Sequence, residues 1–240
     1  MVELLERAVE AHGGVEKWDS VRSIDVLFNF SGGLLELKGF AGHLRPTVSI
    51  NTSMPRSVFQ RLGGDPDDRW IFTADRVWIE RRDGLVIEER SEPRAAFAGH
   101  QRSTPWDRLH LTYFIGYAIW NYLCAPFLFT RSGFTAQELE EHIENGETWR
   151  VLEVTYPDAF PAHTKVQKIY FDDDFMLKRL DYTTDVIGGV ATHYCYDPKT
   201  IDGIVIPTLR RVVRRTPEEG PLISGRTSFL LDYVDVAVHR

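Results

Sequence analysis

Residues 149–215 read WRVLEVTYPDAFPAHTKVQKIYFDDDFMLKRLDYTTDVIGGVATHYCYDPKTIDGIVIPTLRRVVRR. Strand-like runs at 149–156, 163–172, 177–186, 191–196 and 204–215 follow one another there, and a sixth follows at 227–238. Each is rich in β-branched and aromatic residues and is closed by a turn-forming sequence. The turns are Pro157-Asp158, Asp172-Asp173-Asp174, Gly188-Gly189, Asp197-Pro198 to Gly203, and 216–220. Short strands joined by tight turns predict an antiparallel meander.

Because side chains alternate across a strand, the meander distributes its polar residues by parity. His163, Lys165 and Gln167 share one face of their run, and Arg179 and Asp181 share one face of the next. His193 and Cys195 do so in the fourth run, and Leu209 with Arg211 in the fifth. If these faces line the concave side of a curved sheet, His163, Gln167, Arg179, Asp181, His193 and Arg211 converge into an acid/base site.

The first half is also strand-rich. Runs are predicted at 21–31, 34–43, 46–52, 57–62, 69–72 and 76–79, and Asp83-Gly84 between two alternating runs predicts a hairpin. Before them, Leu4, Leu5, Ala8, Val9 and His12 fall on one helical face, and Gly13-Gly14 closes that helix. Between the halves lies one long helix over 106–130. Thr104 is its expected N-cap, Pro105 its first residue, and Asp107 stands three after the cap. It carries no strongly polar residue from Tyr113 to Trp120, so it is expected to be buried on all sides. His110, Thr112, Asn121 and Pro126 interrupt the apolar run, which argues for a core helix over a membrane span. Asn121 then needs a partner inside the protein.

With 240 residues, 43% of them hydrophobic and 26% charged, the chain has ordinary globular content. No linker divides it, so one domain over 1–240 is expected, with a first β half over 1–105, the helix over 106–130 and the meander over 149–240. A net charge of −7 argues against nucleic acid as a partner. Cys124 and Cys195 make neither a disulfide framework nor a metal motif. The start MVELLERAVEAHGG lacks the basic and apolar regions of a signal peptide, which predicts a cytoplasmic location. A monomer or homodimer is expected.

Ala11-His12-Gly13-Gly14, Trp18 and Val21-Arg22-Ser23-Ile24 resemble the opening of proteins with the LolA/LolB-like lipoprotein-carrier fold. Trp120-Asn121-Tyr122-Leu123 with Pro126-Phe127, Gly146-Glu147-Thr148-Trp149-Arg150, and His163 with Gln167, Tyr170, Phe171 and Asp172 are similar to a widespread bacterial family. So are Arg179 with Asp181-Tyr182, His193-Tyr194, and Gly203-Ile204 with Pro207-Thr208 and Arg210-Arg211. The resemblance implies an α+β, mainly β fold. It is a strongly curved antiparallel half-open barrel wrapped around the buried central helix, with an apolar cavity on the concave side.

Two functions fit. In the first, a small apolar or aromatic molecule is isomerised, cyclised or cleaved by cofactor-free acid/base chemistry. His163 moves the proton, Asp181 orients it, and Gln167, Arg179 and His193 stabilise developing charge. Tyr117, Trp120, Tyr122, Tyr170, Tyr182 and Arg211 line the ligand site. In the second, the same residues seat a lipid-like or aromatic ligand that is carried unchanged. Singly, His163 also reads as an imidazole satisfied by a carbonyl, and Arg179 with Asp181 as a structural ion pair. The many ionisable groups on strand faces favour the enzyme, since burying them is costly. The chain has no GxGxxG after a strand, no GxxxxGK[ST] and no GxSxG, so nicotinamide, P-loop and α/β-hydrolase chemistry lack their signatures. His163, His193 and Asp181 have no short metal-ligand spacing, and Asp172-Asp173-Asp174 lacks the glycine and glutamate of an EF-hand loop. Neither a metal nor another cofactor is expected.

Overall fold

A computed structural model describes residues 2–215 and 227–240. The helices are α1 (Glu3–Ala11), α2 (Val15–Asp19), α3 (Gly33–Leu37) and α4 (Arg108–Cys124). The N-terminal strands are β1 (Ser23–Ser31), β2 (His43–Leu44), β3 (Thr47–Asn51), β4 (Arg56–Gln60), β5 (Arg69–Thr73), β6 (Arg76–Glu80) and β7 (Val86–Ser91). The C-terminal strands are β8 (Thr135–Glu144), β9 (Glu147–Thr155), β10 (Val166–Phe171), β11 (Leu177–Thr183), β12 (Val190–Ile201), β13 (Ile204–Arg215) and β14 (Thr227–His239).

Among the described residues the strands form one open antiparallel sheet, ordered β7-β6-β5-β4-β3-β1-β14-β13-β12-β11-β10-β9-β8, with β2 paired to β1. The two halves join where β1 pairs β14, from Ser23 opposite His239 to Ser31 opposite Leu230. The chain thus runs from the centre to one edge, crosses over through α4, and returns from the other edge to the centre. That path explains why the long helix lies against the sheet: it is the connection between the two edges. Its residues from Leu111 to Cys124 are all buried, with Trp120, Tyr113 and Tyr117 among the largest fully covered side chains.

The order of the meander is as expected, although His163 and Lys165 precede β10 and so do not belong to a strand, and the turn expected over Asp197-Pro198 to Gly203 narrows to Asp202-Gly203, because β12 runs on through Asp197 to Ile201 in register with β13. The expected turn at 216–220 lies outside the described residues. The Asp83-Gly84 hairpin forms between β6 and β7. Two local readings are corrected. Residues 34–43 are not a strand: 34–37 belong to the short α3, whose Leu34 and Leu35 bury one face, and a turn leads from it to β2 at His43, a run too short for period alone to tell helix from strand. Helix α4 begins at Arg108 with Asp107 as its N-cap: the carboxylate accepts from the His110 backbone N–H at 2.8 Å, and the Arg90 guanidinium donates to the same carboxylate. Strand β8 had no counterpart in the sequence reading.

Helix α4 packs so closely on β5 that Gly116 admits no side chain: a Cβ there would lie 2.4 Å from both Cβ and Cγ of Phe72. Ser57 on β4 donates to the Gly116 carbonyl at 3.0 Å, which pins the same spot. Gly116→Ala gains helix propensity but forces the two elements apart. We expect a net loss of about 2 kcal/mol in urea unfolding, and a neutral result would show that α4 can shift as a body.

Candidate functional site

Strands β10 to β13 carry two different polar clusters, one on each face. On the inner face, toward α4, stand Gln167, Ile169 and Phe171 of β10, Leu180 and Tyr182 of β11, Ala191, His193 and Cys195 of β12, and Arg210 and Val212 of β13. On the outer face stand Tyr170, Arg179, Asp181, Tyr194 and Val213, packed with Trp149, Val151 and Leu139 of the β8–β9 hairpin.

The expected convergence therefore does not occur. Arg179 and Asp181 point away from His163, because parity on β11 gives the inner face to Leu180 and Tyr182. Arg211 also faces outward, donating from Nε to the Thr227 hydroxyl at 2.9 Å, and its neighbour Arg210 takes the inner position. Tyr170 belongs to the outer cluster. Trp120 is turned to β3, where its Nε1–H donates to the Asn51 carbonyl at 2.6 Å. Gln167 is buried on the inner side and donates to the Thr164 carbonyl at 3.2 Å, not to His163.

His163, His193, Tyr117, Tyr122 and Tyr182 do meet. The loop that carries His163 is held by three hydrogen bonds: Asn121 Nδ2 donates to the Pro161 carbonyl at 2.9 Å, Arg94 Nη1 to that of Ala162 at 2.8 Å, and the Asp185 N–H to that of His163 at 3.1 Å. Asn121 thereby finds partners for its Nδ2, which also donates to the Tyr117 carbonyl at 2.7 Å, while its buried Oδ1 has none among the described residues. The ring lies flat on Tyr182, with centroids 4.0 Å apart and 3° between the planes. Its Nδ1 is 3.0 Å from the Tyr117 hydroxyl and its Nε2 2.7 Å from that of Tyr122, which is 2.9 Å from the Tyr182 hydroxyl. A neutral imidazole has one N–H and one bare nitrogen, so one tyrosine accepts from it and the other donates to it. Burial, with the Arg94 charge second, holds His163 down to about 3. Burial, with the Arg210 charge second, holds His193 well below its ordinary value. Burial raises the hydroxyls of Tyr117, Tyr122 and Tyr182. Every group in the cluster is thus neutral at neutral pH.

Arg210 is the inner face's buried charge. It donates from Nη2 to the Tyr122 carbonyl at 2.9 Å, in the last turn of α4, where a cation is favoured by the helix dipole. Its Nη1 is 3.2 Å from Cys195 Sγ. The run Leu209-Arg210-Arg211-Val212-Val213 is apolar on both faces, so alternation alone does not say which arginine points in.

The concave side is filled and not hollow. The pocket on it, between Phe114 of α4 and the strand ends, measures about 30 Å³, and Tyr122, His163 and Tyr182 form its floor. Arg102, Ser228, Phe229 and Arg214 border it as well, all missed in the sequence because they come from separate loops and strand ends. The apolar cavity implied by the resemblance is narrowed to this slot by side chains of α4, Phe114 and Tyr122 among them. Among the described residues no three His, Cys, Asp or Glu side chains group as a metal site, and no helix is long and apolar enough to cross a membrane.

No family model matches the chain, and neither does any curated protein. Solved structures do. An outer membrane lipoprotein-sorting protein domain of Vibrio parahaemolyticus superposes with a TM-score of 0.55 at 9% identity, over 99% of this chain and 91% of its own. A LolA superfamily protein of Nitrosomonas europaea gives 0.53 at 15% identity, over 94% and 92%. These matches correct the cytoplasmic placement: outer membrane lipoprotein sorting is a task of the cell envelope, and the composition of the first residues does not decide the compartment. At such low identity the likeness concerns architecture, and it establishes that this chain has the LolA-like fold.

Proposed function

We propose that the protein is a non-catalytic carrier or binding protein for a lipid-like or aromatic ligand, seated on the inner face of the half-barrel. The observation that carries this reading is the separation of the two polar clusters by the sheet. The side that faces α4 and the pocket offers neutral hydrogen-bonding groups, Tyr122, His163 and Tyr182, set in an apolar wall of Phe114, Val212 and Phe229. The carboxylate expected to support proton transfer, Asp181, is bound to Arg179 on the other face. Sites for small apolar ligands have this make-up of apolar walls with a few placed polar groups. The named neighbours, one of them a lipoprotein-sorting domain, support the same reading.

Native mass spectrometry of the purified protein, followed by extraction of any bound compound, tests the proposal. A retained lipid-like molecule recovered unchanged after long incubation is the expected result. Its chemical conversion would establish an enzyme instead.

A further inference from the structure

We propose that the mouth of the inner pocket holds the acidic head group of an amphiphile between Arg102 and Arg214, with the apolar part directed inward past Phe114, Val212 and Phe229. The inference rests on the binding reading above and names the ligand class.

Both arginines border the pocket. Arg102 is oriented by its hydrogen bond from Nη2 to the Ser228 hydroxyl at 3.1 Å. Arg214 stands at the exposed end of β13 beside the Gly188-Gly189 turn, its Nε 3.9 Å from where a Cβ of residue 189 would be. Among the described residues neither makes an ion pair with a carboxylate, although Arg94 nearby pairs with Asp185 at 3.2 Å. A third cation lies behind them. Lys38 is buried, its Nζ donates to the carbonyls of Gln101 at 3.2 Å and Thr104 at 2.9 Å on either side of Arg102, and it rests on the Trp106 ring.

The three charges act on one another. Burial and then the Arg102 charge bring Lys38 down to about 8, and burial and then the Arg214 charge lower Arg102. Cations held together in partial burial repel, and an anion between them removes that cost. A carboxylate or phosphate matches the two-pronged donor geometry of arginine. A free anion has no use for the rest of the lining, whereas an amphiphile satisfies both parts. The neutral floor formed by Tyr122, His163 and Tyr182 places the charge at the mouth and not at the bottom.

Fluorescence titration with cis-parinaric acid and with its methyl ester separates head group from chain. The wild type is expected to bind the acid at least about tenfold more tightly than the ester, the scale of one charge-assisted contact. Arg214→Gln, at an exposed position, should remove most of that difference and leave the ester unaffected, and R102Q/R214Q should abolish it. Palmitate and lysophosphatidylglycerol then compete with the bound acid. Displacement by either supports the proposal and tells a carboxylate from a phosphate head group. Equal wild-type affinities for acid and ester overturn the head-group assignment and leave the binding reading intact. Saturable binding of neither probe overturns the binding reading and this inference together.

Discussion

Lowering the pH from about 7 to about 5 is expected to remove about 4 kcal/mol of folding stability through two buried histidines alone. His12 and His163 are held down to about 4 and about 3, in both cases chiefly by burial. In the unfolded chain each imidazole titrates near 6.5. Between those values the unfolded state binds the extra proton and the folded state does not. The stability from keeping these rings neutral is therefore complete above about pH 6.5 and falls as pH drops, by about 1.4 kcal/mol per unit for each ring until the folded value is reached. His193 acts in the same direction. A domain with ordinary stability of about 5–15 kcal/mol would lose much of it. Urea unfolding at about pH 7, 6 and 5 reads the slope directly, as a fall in midpoint at constant m-value. His163→Gln should flatten the profile by one ring's share. A midpoint unchanged down to about pH 5 would mean that these imidazoles are reached by water, and the sealed floor of the pocket would have to be abandoned.

The sequence reading succeeded where local chemistry and tertiary packing agree. The turns at Asp83-Gly84 and Gly188-Gly189, the amphipathic α1 and the all-round apolar α4 each follow from a few adjacent residues. It failed where the same local pattern serves two structures. Residues 135–144, TAQELEEHIE, are strong helix formers, yet they pair with β9 as an edge strand. Leu34-Leu35-Glu36-Leu37 is as compatible with a strand as with the turn of helix it forms. The cis-acting signal for Asp107 as N-cap was present but was overshadowed by the Thr104-Pro105 pair three residues earlier.

The candidate site was legible in composition and not in orientation. Of the six residues expected to converge, His163, Gln167 and His193 lie on the inner side, His163 and His193 beside Tyr117, Tyr122 and Tyr182, whereas Arg179, Asp181 and Arg211 face the other way, as does Tyr170. Parity decides a face only when one side of the sheet is wet. Here the β8–β9 hairpin brings Trp149 and Val151 against Tyr170, Tyr194 and Val213, so the outer face is buried too. Bulges between Tyr170 and Phe171 and between Val212 and Val213 shift the register again. With apolar residues on both sides and the register interrupted, adjacent Arg210 and Arg211 are equivalent in sequence and opposite in space.

That second buried layer makes Arg179 the most consequential single residue outside the pocket. Its side chain is fully covered, and its Nε and Nη2 form a fork onto Asp181 at 2.8 and 2.5 Å, while Nη1 reaches Glu144 at 2.5 Å. Tyr170 donates to Asp181 at 3.0 Å, Tyr194 to Glu144 at 2.7 Å, and Arg215 adds a second cation to Asp181 at 3.2 Å. Strands β8, β10, β11, β12 and β13 are thus tied through one guanidinium. Arg179→Met keeps much of the volume but leaves two carboxylates with less positive charge than negative, and a loss of about 3–5 kcal/mol is expected. Arg179→Lys should restore little, since a single ammonium cannot reproduce the fork. Replacing Arg179, Asp181 and Glu144 together by apolar residues should recover most of the loss, because the cost lies in unpaired charge more than in a missing attraction. Denaturant unfolding of the three variants checks that order. The same proteins, titrated with cis-parinaric acid under conditions where they remain folded, should bind with wild-type affinity. A fall in affinity that tracks Arg179 independently of stability would connect the outer cluster to the pocket through the sheet, and the two faces would have to be treated as one site.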